Sequence, residues 1–139
     1  MTIKTEKILI STKGFNDVID ITSKIESMIS SLEEKNAIIN ISIMSSTAGI
    51  TIIENNKGIV EDINKLFENF APINKVYQHD NLWHEGNAFA YLKSTIMGNN
   101  ITVNVVDKKL ALKPYQKIIV IDFDNKSAIT KEISVNILY

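Results

Sequence analysis

Ser45-Ser-Thr-Ala-Gly-Ile-Thr-Ile-Ile-Glu-Asn-Asn56 sets a turn of small residues between two apolar runs. Upstream, Ala37 to Met44 alternates, with Ile39, Ile41 and Ile43 on one face and Asn40 and Ser42 on the other. Period two is the signature of a half-buried strand. Downstream, Gly49 to Glu54 resumes as a second strand and ends in a carboxylate and an amide, Glu54 and Asn55. The turn therefore joins two strands.

Outward from this pair, Thr5 to Ser11 reads as a first strand closed by Lys13-Gly14. From Asp20 to Glu34, Ile21, Ile25, Met28, Ile29 and Leu32 recur at three- and four-residue spacing, which predicts an amphipathic helix with Asp20 or Thr22 as its cap. A second helix is expected from Lys57 to Asn69, before Pro72. Lys75 to His79 reads as a short strand, Asp80 to Gly86 as a polar aromatic loop, and Asn87 as the cap of a short helix ended by Gly98. Ile101 to Val106, Lys117 to Phe123 and Ile129 to Leu138 are strands, the last two joined by a turn at Asp124 to Ser127. The expectation is an α+β fold: a mostly antiparallel sandwich or barrel-like sheet with two to three helices, in one domain spanning 1–139.

Composition narrows the function classes. The 139 residues carry 45% hydrophobic side chains, two prolines and five glycines, as a compact core requires. No apolar run approaches a membrane span and the start lacks a signal-peptide core, so a cytoplasmic home is expected. Without cysteine there is no disulfide, thiolate nucleophile or cysteine zinc site. All 15 basic residues are lysine and scattered at a net charge of −1, which argues against a nucleic-acid groove. With no arginine, a phosphate must be held by lysine point charges and backbone amides. No dinucleotide fingerprint, P-loop, nucleophile elbow or His-Glu-x-x-His occurs.

The small-residue turn followed by Glu54-Asn55 resembles the HTTAGI…ENEN-type signature of the YjbQ family, sometimes called secondary thiamine-phosphate synthases. The resemblance extends along nearly the whole chain. Ser11-Thr-Lys-Gly14 with Asp17 to Thr22 is similar to the family's opening. Tyr77-Gln-His79, Asn87-Ala-Phe-Ala-Tyr-Leu-Lys-Ser94 and Met97-Gly98 resemble its "Y-x-H … N-A-x-A-H-L-K-(A/S)-x-x-x-G" block. Leu110 to Gln116 is similar to "L-x-L-G-T-W-Q", and Asp122-Phe-Asp124 to the "E-F-D" that follows. The resemblance implies a small trimeric α+β fold with its pocket near a subunit boundary. It also implies an activity, joining a hydroxymethylpyrimidine diphosphate to a thiazole phosphate to give thiamine phosphate.

Carried over position by position, the retained candidates are Thr47, Glu54, Asn55, Asp62, His79, Asn87, Lys93 and Gln116. His79 is the expected acid/base, and Glu54 and Asp62 its catalytic companions, able to hold a cation or an amino group. The turn residues Ser45, Ser46, Thr47 and Gly49 would offer N–H groups to a phosphate beside Lys93, with Asn55, Asn87 and Gln116 completing the substrate contacts. The resemblance also implies a divalent metal, zinc or magnesium. Ser45 and Tyr91 stand where the family has histidine, and hydroxyls bind such metals poorly at neutral pH. A metal would then need His84 and Glu85 to join His79.

Two functions from different classes follow. One is a thiamine-phosphate-synthase-like transferase in which Lys93 and the turn amides stabilise the departing charge and His79 moves a proton. The other is a non-catalytic trimeric relative that binds a small anionic or phosphorylated metabolite in the retained pocket.

Overall fold

The computed structural model describes residues 1–139. The chain runs β1 (Ile3–Thr12), β2 (Asp17–Asp20), α1 (Thr22–Ser30), β3 (Ala37–Ile43), β4 (Ala48–Glu54) and α2 (Lys57–Phe70). It continues α3 (Gln78–Trp83), α4 (Ala88–Met97), β5 (Asn100–Val106), β6 (Lys109–Leu110), β7 (Gln116–Asp122) and β8 (Ile129–Leu138). Every strand pairing is antiparallel. Five strands form one sheet in the order β1-β8-β3-β5-β6, and three form a second in the order β2-β7-β4. The expected α+β architecture is present.

Parity of the strands builds two cores. Ile39, Ile41 and Ile43 of β3, Val103 and Val105 of β5, and Ile133, Val135 and Ile137 of β8 face the smaller sheet. There they meet Ile118 and Val120 of β7 and Ile50 of β4, with Ile25 and Ile29 of α1 and Ile21 just before it closing one end. The intervening residues Ile119, Ile121 and Phe123 point the other way, into a second core with Phe67 of α2 and Phe89 of α4. The smaller sheet is thus covered on both faces, which is why Ile118 to Ile121 reads as an unbroken apolar run.

Several expectations need correction. There are four helices, not two to three, because Lys75 to His79 is not a strand. Asp80 accepts from the Tyr77 N–H at 3.0 Å, so the residues after Tyr77 turn into α3. The first helix is shorter than Asp20 to Glu34. Hydroxyls of Ser27, Ser30 and Ser31 bond back to carbonyls three or four residues earlier and compete with its last turn. Two short strands, β2 and β6, carry too few residues to show a period.

Candidate functional site

The turn between β3 and β4 meets α4 in an open cleft of about 440 Å³ lined by Ser45, Ser46, Tyr91, Ser94, Thr95, Gly98 and Asn99. Tyr91, Ser94, Thr95 and Gly98 are spaced three and four apart, so one face of α4 supplies a wall. Two contacts hold this wall against β4. Ser94 Oγ donates to the Ala48 carbonyl at 2.6 Å. Gly49 lets Met97 lie against the strand, since a Cβ there would come within 2.6 Å of Met97 Sδ.

Beneath the turn is a buried polar network. Lys131 Nζ donates to Ser45 Oγ and to Thr47 Oγ1, each at 2.9 Å. It lies 3.7 Å from Asp122 and 4.0 Å from Asp124. Thr12 donates to Asp122, and Thr47 and Asn87 each donate to Asp124 at 3.2 Å. The Asp124 N–H donates to Asp122 and the Asn125 N–H to Asp124. The carboxylates are therefore held by donors from β1, the β3–β4 turn, Asn87 and their own turn, and an ammonium lies between them and the cleft. A buried cation needs such partners.

The network acts on Ser45. Its oxygen accepts from Lys131 and from the Thr47 N–H at 3.2 Å. The Thr47 hydroxyl gives its hydrogen to Asp124, so Ser45 Oγ is the donor in its 3.2 Å contact with Thr47 Oγ1. Accepting from a charged donor strengthens the hydrogen bond a hydroxyl donates onward. The backbone N–H groups of Ser45 and Ser46 meet no acceptor within the chain.

The remaining candidates are dispersed. Tyr91 separates His79 from the cleft: its ring sits 4.6 Å from the imidazole, and it also lines an apolar pocket with Tyr77, Gln78, His79, Ala88 and Leu92. His79 Nε2 is buried without a hydrogen bond, 3.7 Å from Glu85. Lys93 lies two residues from Tyr91, on the other side of α4. It is buried, 2.9 Å from Glu68 of α2. Burial would raise the Glu68 carboxyl, but the Lys93 ammonium and the Ile73 N–H hold it below its ordinary range.

Glu54 pairs with Gln116 at the far end of β4 from Ala48. Six strand steps of about 3.3 Å place it about 20 Å from the turn. Gln116 Oε1 accepts from the Lys113 N–H at 2.8 Å. Asn55 is exposed just beyond β4; the nearby Asp20 carboxyl, which burial would raise, is held below its ordinary range mainly by hydrogen bonding to Thr22. Asp62 is exposed on α2. Asn87 makes no cap hydrogen bond and serves the network through Asp124 instead.

The residues present do not fit a metal. No three His, Asp or Glu side chains gather around a common point, and His84 is an exposed left-handed residue ending α3. No helix is long and apolar enough to cross a membrane.

Lys131 was overlooked in the sequence, and Asp122 and Asp124, quoted there as a stretch of the resemblance, were given no site role. Their signal was position: Lys131 shares the inward set of Ile133, Val135 and Ile137, and Asp122 ends the buried run that starts at Ile118. A charge at an inward position of a strand demands a buried partner.

Residues 6–139 match the family described as UPF0047 protein YjbQ-like. A UPF0047 protein of Archaeoglobus fulgidus is 34% identical over 124 residues, 89% of each chain. One from Methanocaldococcus jannaschii is 34% identical over 119 residues, 85% of this chain and 83% of that one. Among solved structures, a YbjQ-like protein of unknown function from Sulfolobus solfataricus superposes with a TM-score of 0.89 at 29% identity, covering 99% of this chain and 97% of that one. An uncharacterized yjbq/upf0047 protein from Clostridium acetobutylicum gives 0.85 at 25% identity, covering 96% and 99%.

These findings overturn the expected thiamine-phosphate synthase activity, because the family is one of unknown function and none of these relatives carries that assignment. The geometry gives a physical reason as well: Glu54 and Asp62 do not share a cavity with His79. With the signature residues, the fold and the relatives in agreement, the chain belongs to the YjbQ-like UPF0047 family.

Proposed function

We propose that the cleft between the Ser45 turn and α4 binds a small anionic metabolite, phosphorylated or carboxylated, without metal. The observation that carries this reading is the set of donors converging on the turn. Ser45 and Ser46 have unused N–H groups, and the Ser45 hydroxyl is polarised by Lys131. Consecutive free amides at a turn are a common way to hold an anion, and they require no arginine. Tyr91, Thr95 and Asn99 add neutral polar contacts around the same cleft. Calorimetric titration with orthophosphate and small phosphorylated acids tests it. Binding that weakens at least tenfold in Ser45→Ala supports the reading, and equal binding by both proteins overturns it.

We also propose that the protein works as a homotrimer. Exposed Phe70, Val76, Leu82, Trp83, Leu92 and Ile96, all from α2 to α4, supply apolar surface for a partner copy to cover. Sedimentation equilibrium giving three chains per particle supports this, and a monomer at micromolar concentration overturns it.

A further inference from the structure

A second polar cavity, away from the cleft, differs from it in charge. Lys108, Lys109, Lys113 and Lys117 line a groove of about 360 Å³ between α1 and the β6–β7 connection, together with Thr22, Glu26 and Gln116. Four of the 15 lysines thus fall within ten residues of sequence and on one cavity. Four lysines against one glutamate give the lining a charge of +3. No other cavity of the chain is lined by a lysine.

The groove is built by fixed backbone. Asp107 and Lys108, both in the left-handed region at φ 49° and 62°, form the two-residue hairpin between β5 and β6. The Lys108 N–H donates to the Lys35 carbonyl at 2.8 Å. Lys113 and Gln116 close the next turn on each other, through Gln116 N–H to Lys113 carbonyl at 2.9 Å and Lys113 N–H to Gln116 Oε1 at 2.8 Å. With Oε1 so engaged, the Gln116 amide has its NH₂ for a ligand.

None of the four lysines makes a salt bridge within the chain. Asp20 feels the charge of Lys117 without forming such a pair. Unpaired like charges around one concavity repel, and a multiply charged anion relieves that repulsion. Ammonium groups suit phosphate oxygens as point charges where no guanidinium is present.

From this geometry we infer that the groove binds a compact polyphosphate, a ligand carrying adjacent phosphates whose charge matches the lysine lining. It is too small for a nucleic-acid strand to run along it, and the chain as a whole is net negative. The groove shares no residue with the cleft, so the two readings stand or fall separately.

The test uses inorganic tripolyphosphate and orthophosphate, followed by amide NMR and calorimetry on the wild type and on Lys109→Gln/Lys113→Gln. Both substituted lysines are exposed, so the fold should be retained, which an unchanged Tm checks. The expected result is tripolyphosphate binding at least tenfold tighter than orthophosphate, with shifts confined to residues 108–117 and neighbouring α1. In the double variant the affinity should fall at least tenfold, the equivalent of about 1.4 kcal/mol. Equal affinity of the two proteins, or shifts only at Ser45 and Ser46, would overturn the inference. Tighter binding of a single-stranded oligonucleotide than of tripolyphosphate would overturn the ligand class.

Discussion

Lys131 Nζ and Ser45 Oγ lie 2.9 Å apart, although β8 and the β3–β4 turn are separated by 86 residues of sequence. The contact connects a buried charge, balanced by Asp122 and Asp124, to a hydroxyl on the rim of the cleft. It places a positive charge directly beneath the turn and ties the stability of the fold to the site.

Removing that charge should therefore be costly. Lys131→Met leaves Asp122 and Asp124 buried side by side, and its unfolding free energy should drop by about 3–5 kcal/mol. Ser45→Ala removes the hydrogen bonds of one hydroxyl but leaves Lys131 paired with Thr47, Asp122 and Asp124, and should cost less, about 1–2 kcal/mol. Urea denaturation of the two variants checks the ordering.

Gly49 should resist replacement. A Cβ in Gly49→Ala would meet Met97 Sδ, Cγ and Cβ at 2.6–2.8 Å. Overpacking of this kind costs about 1–3 kcal/mol. Because Met97 sits on α4, the variant should also weaken ligand binding in the cleft by displacing its wall. Met97→Ala in the same background removes two of the three clashing atoms and should recover part of the lost stability.

The Glu68–Lys93 pair gives stability a pH dependence of known sign. Burial pushes the Glu68 carboxyl up, but Lys93 and the Ile73 N–H outweigh it, so the folded value lies below the ordinary 4.5. A group depressed on folding contributes above its unfolded value and loses that contribution as pH falls through the folded one. Wild type should thus exceed Glu68→Gln in stability near neutrality, and the two should converge as the pH falls below the ordinary 4.5 and through the lower folded value. Denaturation curves across pH 3–7 test this.

Much of the fold was legible because burial imposes period two on β3 and β8 and helical spacing on α1 and α2. The short strands β2 and β6 were not, since two to four residues are held by pairing with β7 and β5 and need no pattern of their own. The site was only half legible. Ser45, Ser46 and Thr47 stood out as a turn, yet the cation beside them is Lys131 and not Lys93. Resemblance to a signature grouped Glu54 with His79, whereas the register Glu54↔Gln116 sends Glu54 to the opposite end of the strand.

That separation can be read in binding. Glu54→Gln and Asp62→Asn should leave affinity for an anion in the cleft unchanged within about twofold, a difference of roughly 0.4 kcal/mol. Tyr91→Phe should lower it by removing a hydroxyl from the cleft wall. Calorimetry of the three variants under one buffer distinguishes the two ends.

The most direct test of the central claim is an amide NMR titration of the full chain with orthophosphate, in wild type and in Ser45→Ala/Tyr91→Phe. The predicted result is saturable shifts of the Ser45 and Ser46 N–H signals in the wild type and their loss in the double variant. Unmoved Ser45 and Ser46 signals at saturating phosphate, or equal shifts in both proteins, would contradict an anion site at this turn.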